Sequence, residues 1–454
     1  MRKYDLTEGS ILRKLLLVAV PIMGTQLMQM TYNLTDMFWL GRMGGQQSID
    51  AVAASGTAGM FMWLSMGLMM IGRMGSEIGV SQNLGRKDPD TARKFSQNAL
   101  FIAAILGLAY GCAAVFLSNQ MISFFGIRET RVAQAAANYL RIVGFGCPLT
   151  FLSGAITGTF NGSGNSRLSF IANFSGLAIN MILDPILIFA GGMGVFGAAA
   201  ATVAAQAAVL VIFLVAVKKS KDRPFGEYRF FVKPSSDKII QIFKWSLPIA
   251  CESTLFTVLS MTTTKFISPY GVDAIATQRV GTQIESLSWL IGGGFGSAVT
   301  AFTGQNFGAG KWSRIQRGFR VSTVAMLIWG IIVTVLFFFR GSQLFYIFLW
   351  DETPLEMSAR FMQILVICQI ATCLEGVSAG YFRGMGRTMP PTVTSIAFNL
   401  ARVGLAYVLS LTSLGLYGVW LGVAVGALAR GAAIFIWSFV DARKKPKIDA
   451  ADKV

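Results

Sequence analysis

The sequence predicts an all-α polytopic membrane protein, with twelve transmembrane helices in two pseudo-symmetric six-helix bundles. Hydrophobic residues make up 54% of the 454 and charged residues only 13%, against roughly 25% charged in a soluble domain. Apolar stretches long enough to cross ~30 Å of hydrocarbon recur from end to end. The chain also carries a weak copy of itself. Val20-Pro21-Ile22 returns as Leu247-Pro248-Ile249, and Gln82-Asn83-Leu84-Gly85 as Gln305-Asn306-Phe307-Gly308. Gly158-Thr159-Phe160-Asn161-Gly162 returns as Gly380-Tyr381-Phe382-Arg383-Gly384, and Gly197-Ala198-Ala199-Ala200 as Gly418-Val419-Trp420-Leu421. The spacing between copies shortens mainly where Gly44 to Asp50 shrinks to Gly271-Val272-Asp273. Two same-direction copies of an apolar bundle are a plan of secondary transporters, which hold substrate at the midplane between the halves.

Backbone groups in lipid must bond internally, so each apolar stretch is expected to be a helix. The first, residues 12–40, runs past signal-peptide length without a small-residue cleavage site, so it is expected to be retained. It carries Asp36 after Tyr32-Asn33-Leu34-Thr35. The second, 51–81, holds the apolar run Met60 to Met74, with Arg73 and Glu77 four apart and expected to neutralise each other or snorkel. The third and fourth are 95–118 and 132–159. The fifth, 167–190, carries Asn180 and Asp184-Pro185, and the sixth is 196–217. A charged connection, 218–238, contains Pro224 and Pro234 and links an N-terminal bundle, 1–217, to a C-terminal one, 239–440. The second bundle comprises 239–268 with Glu252 and Lys265, 274–304 with Arg279, Glu285 and Gly292-Gly293-Gly294, and 319–339. It continues with 356–382 carrying Glu375, 390–412 with Arg402 and 417–440 with Arg430, and a tail follows at 441–454.

The net charge of +17 follows a membrane plan rather than a nucleic-acid one. Lys and Arg gather at Arg2 to Lys14, Arg86 to Lys94, Lys218 to Lys244, Lys311 to Arg320 and Arg443 to Lys453, all on one side if twelve helices alternate. The opposite loops hold few: Arg42, Arg128, Arg131 and Arg340. The positive-inside rule then makes both termini and the central connection cytoplasmic, with the chain in the cell's plasma membrane. Cys112, Cys147, Cys251, Cys368 and Cys373 lie in or beside apolar segments without Cys-x-x-Cys spacing, so they read as packing residues. There is no Walker pattern, and Gly191-Gly192-Met193-Gly194 lacks the Lys-Ser/Thr of a phosphate cradle. No cofactor is expected. Histidine is absent, which leaves carboxylates for any proton relay.

A charge at the centre of a membrane helix costs on the order of 3 kcal/mol by insertion scales, so each such residue needs a reason. The acidic candidates are Asp36, Asp184, Glu252, Glu285 and Glu375. The basic ones are Arg73, Lys265, Arg279, Arg402 and Arg430. Asn180 and Asp184, four apart, share one helix face, and with Asp36 from another helix they suit a sodium ion held by oxygens, or shared protons. The blander account is that Asp184 bonds backbone groups freed by Pro185. The repeat supplies an internal test. Thr263, Arg402 and Ala406 stand where Asp36, Asn180 and Asp184 would recur, so ion handling is expected in the first half alone. Glu252 and Arg279 suit either a structural pair or attraction of a cationic substrate, and Glu285 and Glu375 are candidates of the same kind that Arg402 and Arg430 would stabilise. The 21 methionines and 35 phenylalanines suit walls that accept varied small amphipathic or cationic ligands, though most must face lipid or neighbouring helices.

The ordered motifs Tyr32-Asn33-x-x-Asp36, Leu40-Gly41, Gln82-Asn83-x-Gly85, Gly162-Ser163-Gly164, Asn180-x-x-x-Asp184-Pro185 and Ala201-Thr202 resemble those of the multidrug and toxic compound extrusion (MATE) family across essentially the whole chain. The resemblance implies two six-helix bundles that expel organic cations and other amphipathic compounds in exchange for protons or sodium. It also implies a first-half cation site at Asp36, Asn180, Asp184 and Thr202, and brings Tyr32 and Asn33 into the expected substrate set. Glu252 and Glu375 lie about one turn from the acidic positions of sodium-coupled relatives. A lipid-linked oligosaccharide flippase is the alternative, but it would want several Arg or Lys for pyrophosphate. A polytopic enzyme would need a catalytic cluster that the short loops lack. The expected form is a monomer in lipid with a small-molecule substrate and no nucleic-acid partner.

Overall fold

The structure, a computed structural model, describes residues 5–127, 129–219, 228, 233–345 and 355–444, the side chains of 32–34, 37, 46, 49, 219, 272, 276 and 355 excepted. Arg128, Pro224 and the charged tail beyond 444 therefore lie outside the described residues. Among those described the chain is helical, with no strand. The first half contains α1 (Ile11–Gly41), α2 (Gly45–Gly85), α3 (Pro89–Phe116), α4 (Ser118–Ser123), α5 (Thr130–Gly162), α6 (Ser166–Pro185) and α7 (Val195–Lys219). The second contains α8 (Ser236–Ile267), α9 (Val272–Gly308), α10 (Trp312–Phe345), α11 (Leu355–Gly384), α12 (Met389–Ser410) and α13 (Gly415–Arg443).

These are the twelve expected spans plus the short α4, whose six residues are too few to register as a hydrophobic period. The helices also run past the apolar stretches, because polar ends still satisfy helical hydrogen bonds. At the start of α3 the Asp88 side chain accepts from the Thr91 N–H at 2.9 Å, with Pro89 at the first position. That N–H holds the Asp88 carboxyl below the usual aspartate range. Such a cap satisfies an N–H that the helix itself leaves open.

Among the described residues eleven helices are long and apolar enough to cross a membrane by length and composition. The exception is α9, which is rich in Gly, Ser, Thr and Gln and carries Asp273, Arg279 and Glu285. Its polar side chains are largely turned inward. Thr277, Ser286, Ser288, Thr300, Thr303, Gln305 and Asn306 are all buried.

By contacts the chain forms two compact units. Of the described residues, those within 24–254 make the first; those within 5–23 and 255–444 make the second. Both α1 and α8 are thus divided between units. In the second unit the leading segment is pinned at its start: Leu6 is fully buried, its N–H donates to Gln305 Oε1 at 3.0 Å, and Asn306 Nδ2 donates to its carbonyl at 3.2 Å.

Each unit contains a close glycine-lined helix crossing. In the first, Gly158 and Gly162 of α5 lie against the backbone of Arg73 and Glu77 on α2, so that an added Cβ would meet their carbonyl oxygens at 2.1 and 2.5 Å. In the second, Gly376 and Gly380 of α11 lie against Gly292 and Gly296 of α9, with the corresponding distances 2.3 Å at both. A glycine every fourth residue lets two backbones approach closely, the main packing device available where lipid is as apolar as the side chains. Gly158 and Gly380 are counterparts in the two copies. Around the crossings pack Met69, Phe151 and Phe160 in the first unit, and Phe295, Phe302 and Tyr381 in the second.

Candidate functional site

Pro185 sets the local geometry of the first-unit site. Lacking an N–H, it leaves the Met181 carbonyl without its helical donor, and the chain widens into a π turn over Ile186–Ala190. The Gly191 N–H accordingly reaches back five residues to the Ile186 carbonyl at 2.7 Å. Single π turns of this kind favour functional positions because they redirect side chains inside a helix.

Just before that turn, Asn180 and Asp184 are both fully buried. Asn180 Nδ2 donates to Asp184 Oδ1 at 3.1 Å. Asp36 arrives from α1, and its carboxyl hydrogen-bonds both Asp184 and Asn180. Two carboxyl groups in contact away from water must share a proton or a cation, since both cannot stay ionised cheaply. The Asp184 side chain has Asn180 and Asp36 as its partners.

Three buried oxygens here have no hydrogen-bond donor: Asp36 Oδ1, Asn180 Oδ1 and Asp184 Oδ2. Thr202, on α7, is 6% exposed, and its hydroxyl donates to the Ala198 carbonyl at 3.0 Å. Tyr139 of α5, also buried, hydrogen-bonds Thr202 and lies within electrostatic reach of both aspartates. Orphaned acceptors on an all-oxygen set are the chemistry of a hard monovalent cation or a proton. Among the described residues no three or more Cys, Asp or Glu gather as a metal site. Tyr139 escaped the sequence reading because an uncharged tyrosine in an apolar helix gives no burial-cost signal.

At the matching place in the second unit, Thr263 donates to the Leu259 carbonyl at 3.0 Å and Ala406 is fully buried. The charges of that unit form a different group. Arg430 bonds Glu375 Oε2 through Nε at 3.0 Å and through Nη2 at 2.9 Å, and its Nη1 donates to Asn399 Oδ1 at 2.8 Å. Glu285 is hydrogen-bonded by Gln369 and lies within electrostatic reach of Arg402 and Arg430. Glu252 is half-buried on the part of α8 that belongs to the first unit. Arg279 is exposed and joins none of the ion pairs among the described residues. The side chains of Tyr32 and Asn33 lie outside the described residues.

The family model MatE matches residues 21–186 and 248–408, one segment in each copy of the repeat. The chain belongs to the MatE family. Among MatE relatives it is 25% identical over 426 residues to the probable multidrug resistance protein NorM of Thermotoga maritima, spanning 92% of this chain and 90% of that protein. It is 26% identical over 424 residues to the probable multidrug resistance protein YoeA of Bacillus subtilis, covering 92% and 91%. A solved outward-facing multidrug resistance MATE family transporter of the MOP superfamily superimposes with a TM-score of 0.90 at 20% identity, over 98% of this chain and 99% of that one. That likeness extends the MatE fold across the full twelve-helix frame.

Proposed function

We propose that this MatE protein exports small amphipathic or cationic compounds in exchange for protons or sodium ions, and that the coupling ion binds at Asp36, Asn180, Asp184 and Thr202. The names of the NorM and YoeA relatives support the substrate class. One observation carries the ion site: Asp36 and Asp184 meet carboxyl to carboxyl while three neighbouring oxygens lack a donor. A proton entering there neutralises the pair, whereas a sodium ion gathers the free oxygens. Either way the ion favours one arrangement of the helices that hold these side chains. Transport follows only if substrate prefers the other arrangement, because coupling is a difference in affinity between states. One proton crossing ~100 mV yields about 2.3 kcal/mol, enough for roughly a 50-fold gradient of a neutral substrate. A singly charged cation exchanged for one proton moves no net charge, so the pH or sodium gradient itself must drive it. We place both termini and the central connection on the cytoplasmic side of the plasma membrane and take the monomer as the working unit.

Purified protein in liposomes loaded with a fluorescent cation, and given either a pH or a sodium gradient, tests this reading. Dye movement is expected under one gradient. Asp36→Asn is expected to abolish gradient-driven movement while the protein still inserts and purifies as a folded monomer. Wild-type transport by that variant, or dye movement under neither gradient, refutes the proposal.

A further inference from the structure

Arg402 is a poorly satisfied buried charge in the second unit. It is 7% exposed, yet among the described residues its five N–H donors have a single acceptor, the Ser260 hydroxyl at 3.3 Å. Its Nε is buried without any partner. Among the described residues no carboxylate pairs with it, and Glu285 and Glu375 act on it only at longer range. Arg430, by contrast, spends all three of its nitrogens on Glu375 and Asn399. Two guanidiniums thus stand in one bundle, one fully engaged and one held open. The face of Phe256 lies 4.9 Å from the Arg402 guanidinium carbon. Phe256 is 39% exposed and Ser260 half-buried, so the group lies toward the exposed side of α8.

The fold makes specific room for this side chain. A Cβ on Gly426 of α13 would fall 2.1 Å from the Arg402 Cβ, so only glycine lets the stem pass. The first-half counterpart of Gly426 is Ala205, opposite the shorter Asn180. Nor is the rest of the group inherited from the repeat: Met62, Ser153, Leu177 and Val209 stand where Glu285, Glu375, Asn399 and Arg430 occur. The second copy has acquired a charged centre of its own in place of the aspartate pair.

We propose that Arg402 is the anchor of a substrate subsite for a carboxylate, so that the compounds this transporter accepts include zwitterions that pair an apolar cationic body with a carboxylate. The guanidinium fork matches a carboxylate's two oxygens, Phe256 offers an aromatic face to the body, and Glu285 supplies negative charge for its cationic part. This goes beyond the proposed ion coupling and rests on it only in treating the chain as a small-molecule transporter.

The test is equilibrium binding without any gradient, by fluorescence anisotropy on the purified full-length protein, so a failure of ion coupling cannot mimic a failure here. The probes are rhodamine B, a zwitterion with a free carboxylate, and rhodamine B ethyl ester, the matching cation. Wild type is expected to bind the acid more tightly than the ester. Arg402→Gln is expected to weaken the acid about ten-fold or more while leaving the ester within about two-fold, and Arg402→Lys, which keeps the charge but loses the fork, falls between. Asp36→Asn is expected to leave the acid-to-ester ratio unchanged. The proposal is overturned if wild type prefers the ester, binds both alike or binds neither, or if Arg402→Gln weakens both equally. Should Arg402→Gln fail to fold, the wild-type preference and its reduction in Arg402→Lys decide the matter.

Discussion

Tyr139 contributes to the aspartate site without carrying charge. Its buried hydroxyl hydrogen-bonds Thr202 within electrostatic reach of both aspartates. Tyr139→Phe keeps the ring and removes the hydroxyl, which costs about 1 kcal/mol if the Thr202 hydroxyl is then free to turn. The expected outcome is a several-fold higher half-saturating concentration of the coupling ion in liposome transport, with thermal unfolding nearly unchanged. Unaltered ion dependence would place Tyr139 outside the site. At this scale the sequence exposed Asp36, Asn180 and Asp184, because buried charge is expensive and the repeat omits it from the second copy. Thr202 was reached through resemblance, since a threonine in lipid readily bonds its own helix, as this one does with Ala198. Arg402 was legible only as a stabiliser of nearby acids. Its missing partner is a matter of distances between helices, which spacing along one chain does not encode.

The helices themselves were legible from hydropathy and their closest crossings were not, although both rest on the same residues. Gly158 and Gly380 appear in the sequence as repeated letters; in space each removes a side chain from a crossing where the opposing carbonyl would otherwise meet a Cβ at 2.1 or 2.3 Å. Gly158→Ala and Gly380→Ala must therefore push α5 from α2, or α11 from α9, and each is expected to lower stability by several kcal/mol as overpacking and lost contacts combine. Gly293→Ala is the control, because an added Cβ there meets nothing within 4 Å. Thermal unfolding of the purified proteins in detergent checks the set. The two stripe variants should unfold well below wild type and Gly293→Ala beside it. Equal behaviour of all three would mean that the crossings are not the structural centre of their units. The short α4 and the π turn after Asp184 were invisible for a related reason: each depends on a few hydrogen bonds rather than on a run of apolar residues.

Over the whole molecule, duplication supplies one frame twice, and the two copies have placed different polar groups in it. The first holds two aspartates and an asparagine, the second a pair of arginines with two glutamates. Both arrangements require every long helix to cross the membrane, and α9 is the one whose composition leaves this open, as the sole long helix among the described residues below the hydropathy of a membrane span. If α9 crosses, five crossings, α8 to α12, separate Lys233 from Thr412, and the two lie on opposite sides. Both are exposed. The proposed cytoplasmic placement of the Lys- and Arg-rich segments predicts Lys233 inside and Thr412 outside. With the exposed native cysteines Cys112 and Cys251 replaced by serine, Lys233→Cys and Thr412→Cys are expected to differ in intact cells. An impermeant maleimide labels the Thr412 position directly and the Lys233 position only after permeabilisation. The reverse pattern would invert the molecule in the membrane. Identical labelling of both positions would mean that an even number of helices cross between them, and α9 would then be the helix that does not, its polar face turned to water instead of to α11.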